Sequence, residues 1–429
     1  MGMNQLLDKV IKVSLVTMIL LSLFLSWKIW TKPANRSLAE KDKNSGEELV
    51  HSKKMTDVYV PTKLFYHESK DEYLYSNKES MILDIHHKVT GFNFNNGKEM
   101  NQKEIEEIIY AGDAFNLLFP EEYPLSVYEE IYDLTLDIPS EMKDMMFNRI
   151  IFSLKDDKIY FVNHQLDKGI SYDVEGDSKS IESILKDKKK ANYLPVSLTP
   201  ENIAGIYYLV DDVELKTYSY ILAPQSFTTF TKAFFNQPND LYSNESDNVN
   251  VSNGEGESLT IQSATGEVTY FGKLKKGKDR GNNSLYYDTF QYVENLGNTL
   301  GTLRYFDSKE GDIIYRNYIE GYPVFGQDMK GRLEVGVKNK SVFVRTNQET
   351  IQIPIPSEET VSLIPTEELM ANLVAAGVDL SKVDDVQIAY EWQANAETKQ
   401  VVDLVPTWYV KFEDAWYPAT VLMEQGGAK

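Results

Sequence analysis

Histidines and carboxylates are the side chains that most often carry chemistry, and here neither forms a recognisable catalytic pattern. The five histidines are His51, His67, His86, His87 and His164. On a strand, His86 and His87 would point to opposite faces, so they could not easily share a metal ion or a substrate. The sequence has no HExxH motif, Cys/His cluster, phosphate-binding loop or nucleophile elbow. We therefore predict structural or surface histidines, no metal ligands and no cofactor.

Paired acids and a tryptophan group are the next candidates for chemistry. A glycosidase needs two carboxylates about 5–10 Å apart across a cleft, and a chain with 65 acidic residues leaves this possibility open. Neighbouring acids are usually solvated, so we expect these pairs on the surface. The tryptophans could form a sugar-stacking platform or, as we expect, the core of a small sheet. The acid pairs are Glu106-Glu107, Glu121-Glu122, Asp211-Asp212 and Asp384-Asp385, and the tryptophans are Trp392, Trp408 and Trp416. We predict no catalytic residues and no enzymatic activity.

Charge and composition limit the partners. The 429 residues carry a formal net charge of −21, and nucleic-acid binding needs a basic surface, so a nucleic-acid partner is excluded. The chain has no cysteine, which removes disulfides and thiolate sites and is compatible with an oxidising exterior. This length predicts two or three domains.

One long apolar run, 13–27, lies between Lys12 and Lys28. Because both lysine stems can reach the headgroups, the usable span is 10–30, which is about 31 Å at 1.5 Å per residue. A cleaved signal peptide would need a small-residue cleavage site soon after the run, and none is close. We therefore predict an uncleaved transmembrane helix, with the N-terminus cytoplasmic and the C-terminal part extracellular.

The predicted anchor carries a stripe of mostly small residues: Ser14, Met18, Ser22 and Ser26. Residues four apart lie on one helix face, and small or hydroxylated residues let membrane helices approach closely. This anchor stripe is our predicted partner-binding site. The alternative is that each serine bonds its own helix backbone, as serines in any span can do.

The remaining pattern predicts an α+β fold with antiparallel sheets. Asn101 and Glu104 form a capping-box signature, and Thr366 is expected to cap a later helix. We predict a strand from Trp416 to Leu422 and a loop at 242–257. The predicted regions are a cytoplasmic tail (1–9), the transmembrane helix (10–30), a flexible stalk (31–55), a helix-rich α+β domain (56–195), a central α+β domain (196–355) and a C-terminal α+β domain (356–429).

Four segments together resemble the YycH (WalH) family. They are 25–30 (LSWKIW), 58–61 (VYVP), 230–238 (FTKAFFNQP) and 320–325 (EGYPVF). The run 404–410 (LVPTWYV), with Trp416 and Tyr417, also resembles the small PepSY or YpmB type of module. The resemblance covers most of the chain.

The resemblance implies a regulator of the WalK/WalR (YycG/YycF) two-component system, which controls cell-wall metabolism. Members of the family act beside the sensor histidine kinase WalK together with YycI (WalI), through transmembrane contacts and paired ectodomains. A homodimer is a further possibility. The alternatives are a tethered glycan-binding module or hydrolase and, from the last seventy residues or so, a PepSY-like protease inhibitor.

Overall fold

The computed structural model of the protein describes residues 18, 52–69, 72–187, 193–198, 207–238, 241–245, 248–275, 277 and 280–426. The chain divides into two compact units, Met1–Leu49 and Val50–Lys429. In the first unit, Met18 is described; it is helical and exposed. No helix within the described residues is both long and apolar enough to cross a membrane. Apart from Met18, the predicted span 10–30 lies outside the described residues.

The first part of the second unit is built on a nine-stranded antiparallel sheet, which we call sheet A. Its strands are β1 (Lys63–Ser69), β2 (Glu72–Ser76), β3 (Asn93–Met100), β4 (Ala114–Pro124), β5 (Met146–Ser153), β6 (Lys158–Val162), β7 (Gly169–Glu175), β8 (Leu194–Leu198) and β9 (Tyr207–Leu209). Their order across the sheet is β3-β7-β6-β5-β4-β1-β2-β8-β9. This arrangement places β1, β4 and β5 side by side in the middle of the sheet.

Helices cover both faces of sheet A. They are α1 (Met55–Val58), α2 (Glu79–Val89), α3 (Gln102–Ile109), α4 (Leu125–Ile131) and α5 (Ser178–Lys186). Successive strand residues point to opposite faces, so Ile150 packs in one core with α2, α4 and α5, whereas Ile151 packs against α3. The predicted capping box is confirmed at the start of α3, where Asn101 and Glu104 bond each other's backbone amides.

The second part is built on a fourteen-stranded sheet, which we call sheet B, and a separate two-stranded ribbon. The strands are β10 (Val213–Lys216), β11 (Tyr218–Pro224), β12 (Tyr242–Glu245), β13 (Asn248–Ser252), β14 (Ser258–Gln262), β15 (Glu267–Lys273), β16 (Leu303–Lys309), β17 (Asp312–Ile319), β18 (Tyr322–Phe325), β19 (Arg332–Lys338), β20 (Ser341–Asn347), β21 (Glu349–Ile355), β22 (Thr360–Leu363), β23 (Val383–Ala394), β24 (Val401–Phe412) and β25 (Ala415–Pro418). Sheet B runs β12-β13-β14-β15-β20-β19-β17-β18-β23-β24-β11-β21, with β16 on β17 and β25 on β24, and β10 and β22 form the ribbon. The β18–β23 pair is parallel.

Within the described residues, two pairs of helices pack on sheet B. They are α6 (Phe227–Phe234), α7 (Ser284–Glu294), α8 (Thr366–Ala375) and α9 (Ala419–Gln425). Helices α6 and α7 share a core with Tyr270 of β15, and α8 and α9 share a core with Trp408 of β24. Trp392 is buried in the latter core, in agreement with the expectation that these tryptophans fill a small sheet.

The predicted mixture of helices and antiparallel sheets is confirmed, and particular elements differ from the prediction. Segment 56–195 holds more strand than expected, because strands such as β3 are polar and mostly exposed and lack the alternation that marks a half-buried strand. The predicted loop 242–257 contains β12 and β13 at a sheet edge.

Two predicted features near the C-terminus are also wrong. The predicted strand from Trp416 to Leu422 ends at Pro418, and α9 begins at the next residue because proline fixes a backbone angle that suits a helix start. Thr366 is the first residue of α8 and does not cap it. Its hydroxyl accepts a hydrogen bond from the Leu209 backbone N–H at 2.9 Å instead.

Sheets A and B meet at a close backbone contact. Phe65 and Tyr75 of sheet A share one core with Tyr322 of sheet B. Beside it, Gly321 has φ +81°, and a Cβ on this residue would lie 2.0 Å from the Asn77 carbonyl oxygen. The Asn77 side chain donates to the Glu320 carbonyl at 2.8 Å. Only glycine permits this approach.

We predict that Gly321→Ala lowers the free energy of unfolding by about 2–5 kcal/mol, because it adds a clash to the cost of a left-handed backbone. Gly254 is the matched control, since it has φ +71° and open space around it. Gly254→Ala should cost about 1 kcal/mol, the backbone contribution alone. Urea denaturation of both variants measures the difference. Equal losses would contradict the role given to the Gly321 contact.

Candidate functional site: a polar cleft between the two sheets

A polar cleft of about 200 Å³ lies beside this junction, between β1, β4 and β5 of sheet A and β23 to β25 of sheet B. Its polar lining on the sheet A side is Lys63, Glu121, Asn148, Arg149 and His164. Its polar and aromatic lining on the sheet B side includes Asp384, Asp385, Lys411, Asp414 and Trp416. Ligand sites are concave, and their polar groups fix the orientation and specificity of the ligand.

Two β-bulges shape the cleft. In β4, Leu118 pairs with Arg149 and Tyr123 pairs with Phe147, so residues 119–122 lie opposite Asn148 alone. In β23, the pairing skips Asp384 in the same way. A bulge bends a strand and redirects its side chains, and bulges are frequent beside functional sites. The two bulges therefore turn acidic side chains into the space between the sheets.

Lys411 ties the two walls together. Its Nζ atom lies 2.9 Å from Glu121 Oε2 and 3.9 Å from Asp307 Oδ1. Burial alone would lower the pKa of Lys411, but the two carboxylates outweigh it and raise that pKa, so the ammonium stays charged. Burial raises the pKa of Asp307, because one ammonium shared between two carboxylates compensates it incompletely.

The walls of the cleft carry opposite charge. The sheet A wall has two cationic side chains, Lys63 and Arg149, and one carboxylate, Glu121. The sheet B wall has three aspartates and one cationic side chain, Lys411. Lys63 reaches across to Asp385, with Nζ 3.8 Å from Oδ2. Asn148, at the base of the sheet A wall, is buried, and its Oδ1 atom has no hydrogen-bond partner among the described residues. The arrangement can bind a small polar molecule that carries both charges.

The structure brings together two of the acid pairs that the sequence placed on the solvated surface. Glu121 of one pair and both acids of Asp384-Asp385 line the cleft. The cationic partners of Glu121 and Asp385 lie on the opposite sheet and are distant in sequence. The other two pairs, Glu106-Glu107 and Asp211-Asp212, are exposed as predicted. Trp416, the third tryptophan, is half-buried at the cleft.

The histidines divide into buried and exposed ones. His86 and His87 lie on helix α2, not on a strand. Burial lowers the pKa of His67 to about 4 and that of His86 to about 3, and His86 Nε2 lies 3.0 Å from the Tyr128 hydroxyl. His87 and His164 are exposed, and His51 lies outside the described residues. Within the described residues, no group of three or more side chains could hold a metal ion.

The anchor stripe is described at one position. Met18 is helical and exposed, whereas Ser14, Ser22 and Ser26 lie outside the described residues. The stripe therefore stays a prediction.

Comparison with known proteins covers nearly the whole chain. Residues 9–192 match the family described as YycH protein, N-terminal domain, and residues 205–427 match YycH protein, C-terminal domain. The chain belongs to the YycH family. The crystal structure of YycH from Bacillus subtilis is similar in fold, with a TM-score of 0.70 at 14% identity over 86% of this chain and 97% of that chain.

Other comparisons add little. An uncharacterized protein from Eubacterium rectale reaches a TM-score of 0.32 at 11% identity over 52% of this chain and 85% of that chain, which is too low to support an argument. No curated protein matches the sequence.

Two of the YycH segments noted in the sequence, 58–61 and 320–325, lie where the chain contacts sheet B or sheet A, whereas 25–30 lies outside the described residues. Segment 320–325 contains the close contact at Gly321, and Phe325 stacks on Tyr409 with ring centroids 4.1 Å apart. Segment 58–61 begins at the last residue of α1, and its other three residues lie outside helices and strands. Its Tyr59 hydroxyl lies 3.1 Å from that of Tyr315, so this segment is fixed to sheet B.

We predict that Lys411→Met lowers the free energy of unfolding at pH 7 by about 2–4 kcal/mol, because it leaves Glu121 and Asp307 uncompensated in a partly buried site. A carboxyl whose pKa is raised in the folded state binds protons preferentially when folded. The loss in free energy of unfolding caused by Lys411→Met should therefore shrink as the pH falls from 7 toward 4. Denaturation at several pH values measures it.

Lys382→Met is the matched control, because Lys382 pairs with Glu413 at 2.6 Å with both side chains about half exposed. It should change stability by about 1 kcal/mol or less, with little dependence on pH. If Lys411→Met lowered the free energy of unfolding by as little as this, the ion pair between Lys411 and Glu121 would not stabilise the contact between the two walls of the cleft.

Proposed function

We propose that this protein is a membrane-anchored extracytoplasmic regulator of a WalK (YycG)-like sensor histidine kinase, which acts with a YycI (WalI)-like protein and affects cell-wall homeostasis. The observation that carries the proposal is the match to both YycH domains over 9–192 and 205–427. The YycH family is associated with the WalK/YycG two-component system. We therefore extend kinase regulation from the family to this chain.

The apolar span 10–30 supports a single-pass anchor. In this proposal the second compact unit, Val50–Lys429, which we call the body, lies outside the cell. In this proposal the anchor stripe packs against kinase helices. A regulator shifts a kinase only if it contacts the two kinase states differently, and such coupling free energies are typically ~1–3 kcal/mol. Two larger side chains in the contact can remove a coupling of this size.

The described body supports a role in assembly. Its cores are continuous across the junction between the sheets, and lysines tie the walls of the cleft together. A body held in this way can present a constant surface to a YycI-like ectodomain. Pairing of the two ectodomains would then hold the anchors in register beside the kinase.

We predict that Ser22→Leu with Ser26→Leu abolishes regulation of the kinase while the body stays folded. Bulky side chains in a stripe of small residues block close helix approach. The measurement is kinase-dependent reporter output in cells, with immunoblotting to establish equal protein levels. Regulation that stays at the wild-type level would remove the stripe from the mechanism.

The matched control is Val16→Leu with Phe24→Leu, two positions that lie on the opposite side of a helix with 100° between residues. This pair also places two leucines in the span, on the face away from the stripe, and should leave the output unchanged. A second comparison replaces 10–30 with an unrelated span of equal length. Retained regulation in that chimera would identify the helix as a passive tether, contrary to the proposal.

A further inference from the structure

Carboxylates predominate on one wall of the cleft and cationic groups on the other. This separation of charge determines which class of ligand the cleft can bind. Asp384 and Asp414 on the sheet B wall are exposed, and neither has an ion-pair partner among the described residues. Both carboxylates are therefore available to an ammonium group. The Asp414 backbone N–H donates to Asp384 Oδ2 at 3.3 Å, which places the Asp384 carboxylate beside the Asp414 backbone.

The opposite wall is electropositive. The Arg149 guanidinium is buried in it, and His164 lies exposed at its rim. Lys63 completes this wall, and its 3.8 Å pairing with Asp385 is long enough to rearrange toward a new anion. Charges in such a partly buried wall act more strongly than in open water. A carboxylate therefore fits this side of the cleft.

We propose that the cleft binds a small zwitterion, namely an amino acid or a short peptide with both termini free. The ligand ammonium lies between Asp384 and Asp414, and the ligand carboxylate faces Arg149, His164 and Lys63. The cleft, at about 200 Å³, has room for a molecule of this size. The Trp416 ring offers an apolar surface for a short side chain.

Other ligand classes fit less well. A simple anion would meet the aspartates of sheet B, and a simple cation would meet the electropositive wall of sheet A. A neutral sugar could bond the polar groups but would leave the separated charges uncompensated. The assignment concerns the cleft alone, so it stands or falls independently of the kinase partner.

The first test is isothermal titration calorimetry of the full-length chain with L-alanyl-L-alanine. The matched control ligand is N-acetyl-L-alanyl-L-alanine amide, which has the same backbone without either charge, and N-acetylglucosamine is the neutral sugar probe. We expect saturable binding of the free dipeptide alone. No binding of the dipeptide, equal binding of its blocked form, or tighter binding of the sugar overturns the proposal.

The second test locates the site with two neighbouring acids. Asp414 has φ +60°, a conformation that asparagine tolerates, so Asp414→Asn should fold normally. It should weaken dipeptide binding about tenfold, the effect of losing one charge-assisted hydrogen bond. Glu413→Gln is the matched control, because Glu413 does not line the cleft and pairs with Lys382.

We expect Glu413→Gln to leave dipeptide affinity unchanged and the double variant Asp384→Asn with Asp414→Asn to abolish binding. Thermal melting of each variant checks that it is folded. Equal effects of Asp414→Asn and Glu413→Gln, or wild-type affinity in the double variant, would overturn the assignment.

Discussion

Sheets A and B are joined where the backbone at Gly321 passes the Asn77 carbonyl oxygen, and the geometry of the cleft depends on this contact. It sets the separation of the sheets, because a Cβ at 2.0 Å from an oxygen cannot be accommodated without movement. With the separation fixed, Lys411 reaches Glu121 at 2.9 Å and Lys63 reaches Asp385 at 3.8 Å. A backbone contact and two ion pairs therefore determine the width of the cleft.

The cleft carries a cost in stability that packing alone would not require. Asp307 is a buried carboxyl with a raised pKa, and Asn148 Oδ1 is buried without a hydrogen-bond partner among the described residues. Well-packed apolar side chains of similar volume are often as stable as a buried ion pair or more so. Polar groups retained at two facing bulges are consistent with a binding role for this region, beyond its contribution to the fold.

Local features of the fold were predictable from the sequence, and long-range ones were not. The capping box of Asn101 and Glu104 depends on residues three apart, so the sequence contains all the information that it needs. The hydroxyl of Thr366 had two possible partners, its own helix and a strand 157 residues away, and the sequence cannot rank them.

The same limit applies to the candidate site. Glu121 and Asp385 look like ordinary surface acids because their lysine partners, Lys411 and Lys63, lie hundreds of residues away. Bulges are also invisible in a hydrophobic pattern, since they interrupt the alternation that identifies a strand. Pro120 in β4 and the adjacent acids of β23 were the available signals, and neither points to a cleft without the opposite sheet.

We propose that this YycH-family chain contacts a sensor kinase through one face of its anchor while the body remains folded. The most direct measurement is photo-crosslinking in intact membranes, with a photoreactive residue placed at position 22 or at position 20 on the opposite face. The account predicts a crosslink to the kinase from position 22 and none from position 20. Equal crosslinking from both positions, or none from either at normal protein levels, would contradict it.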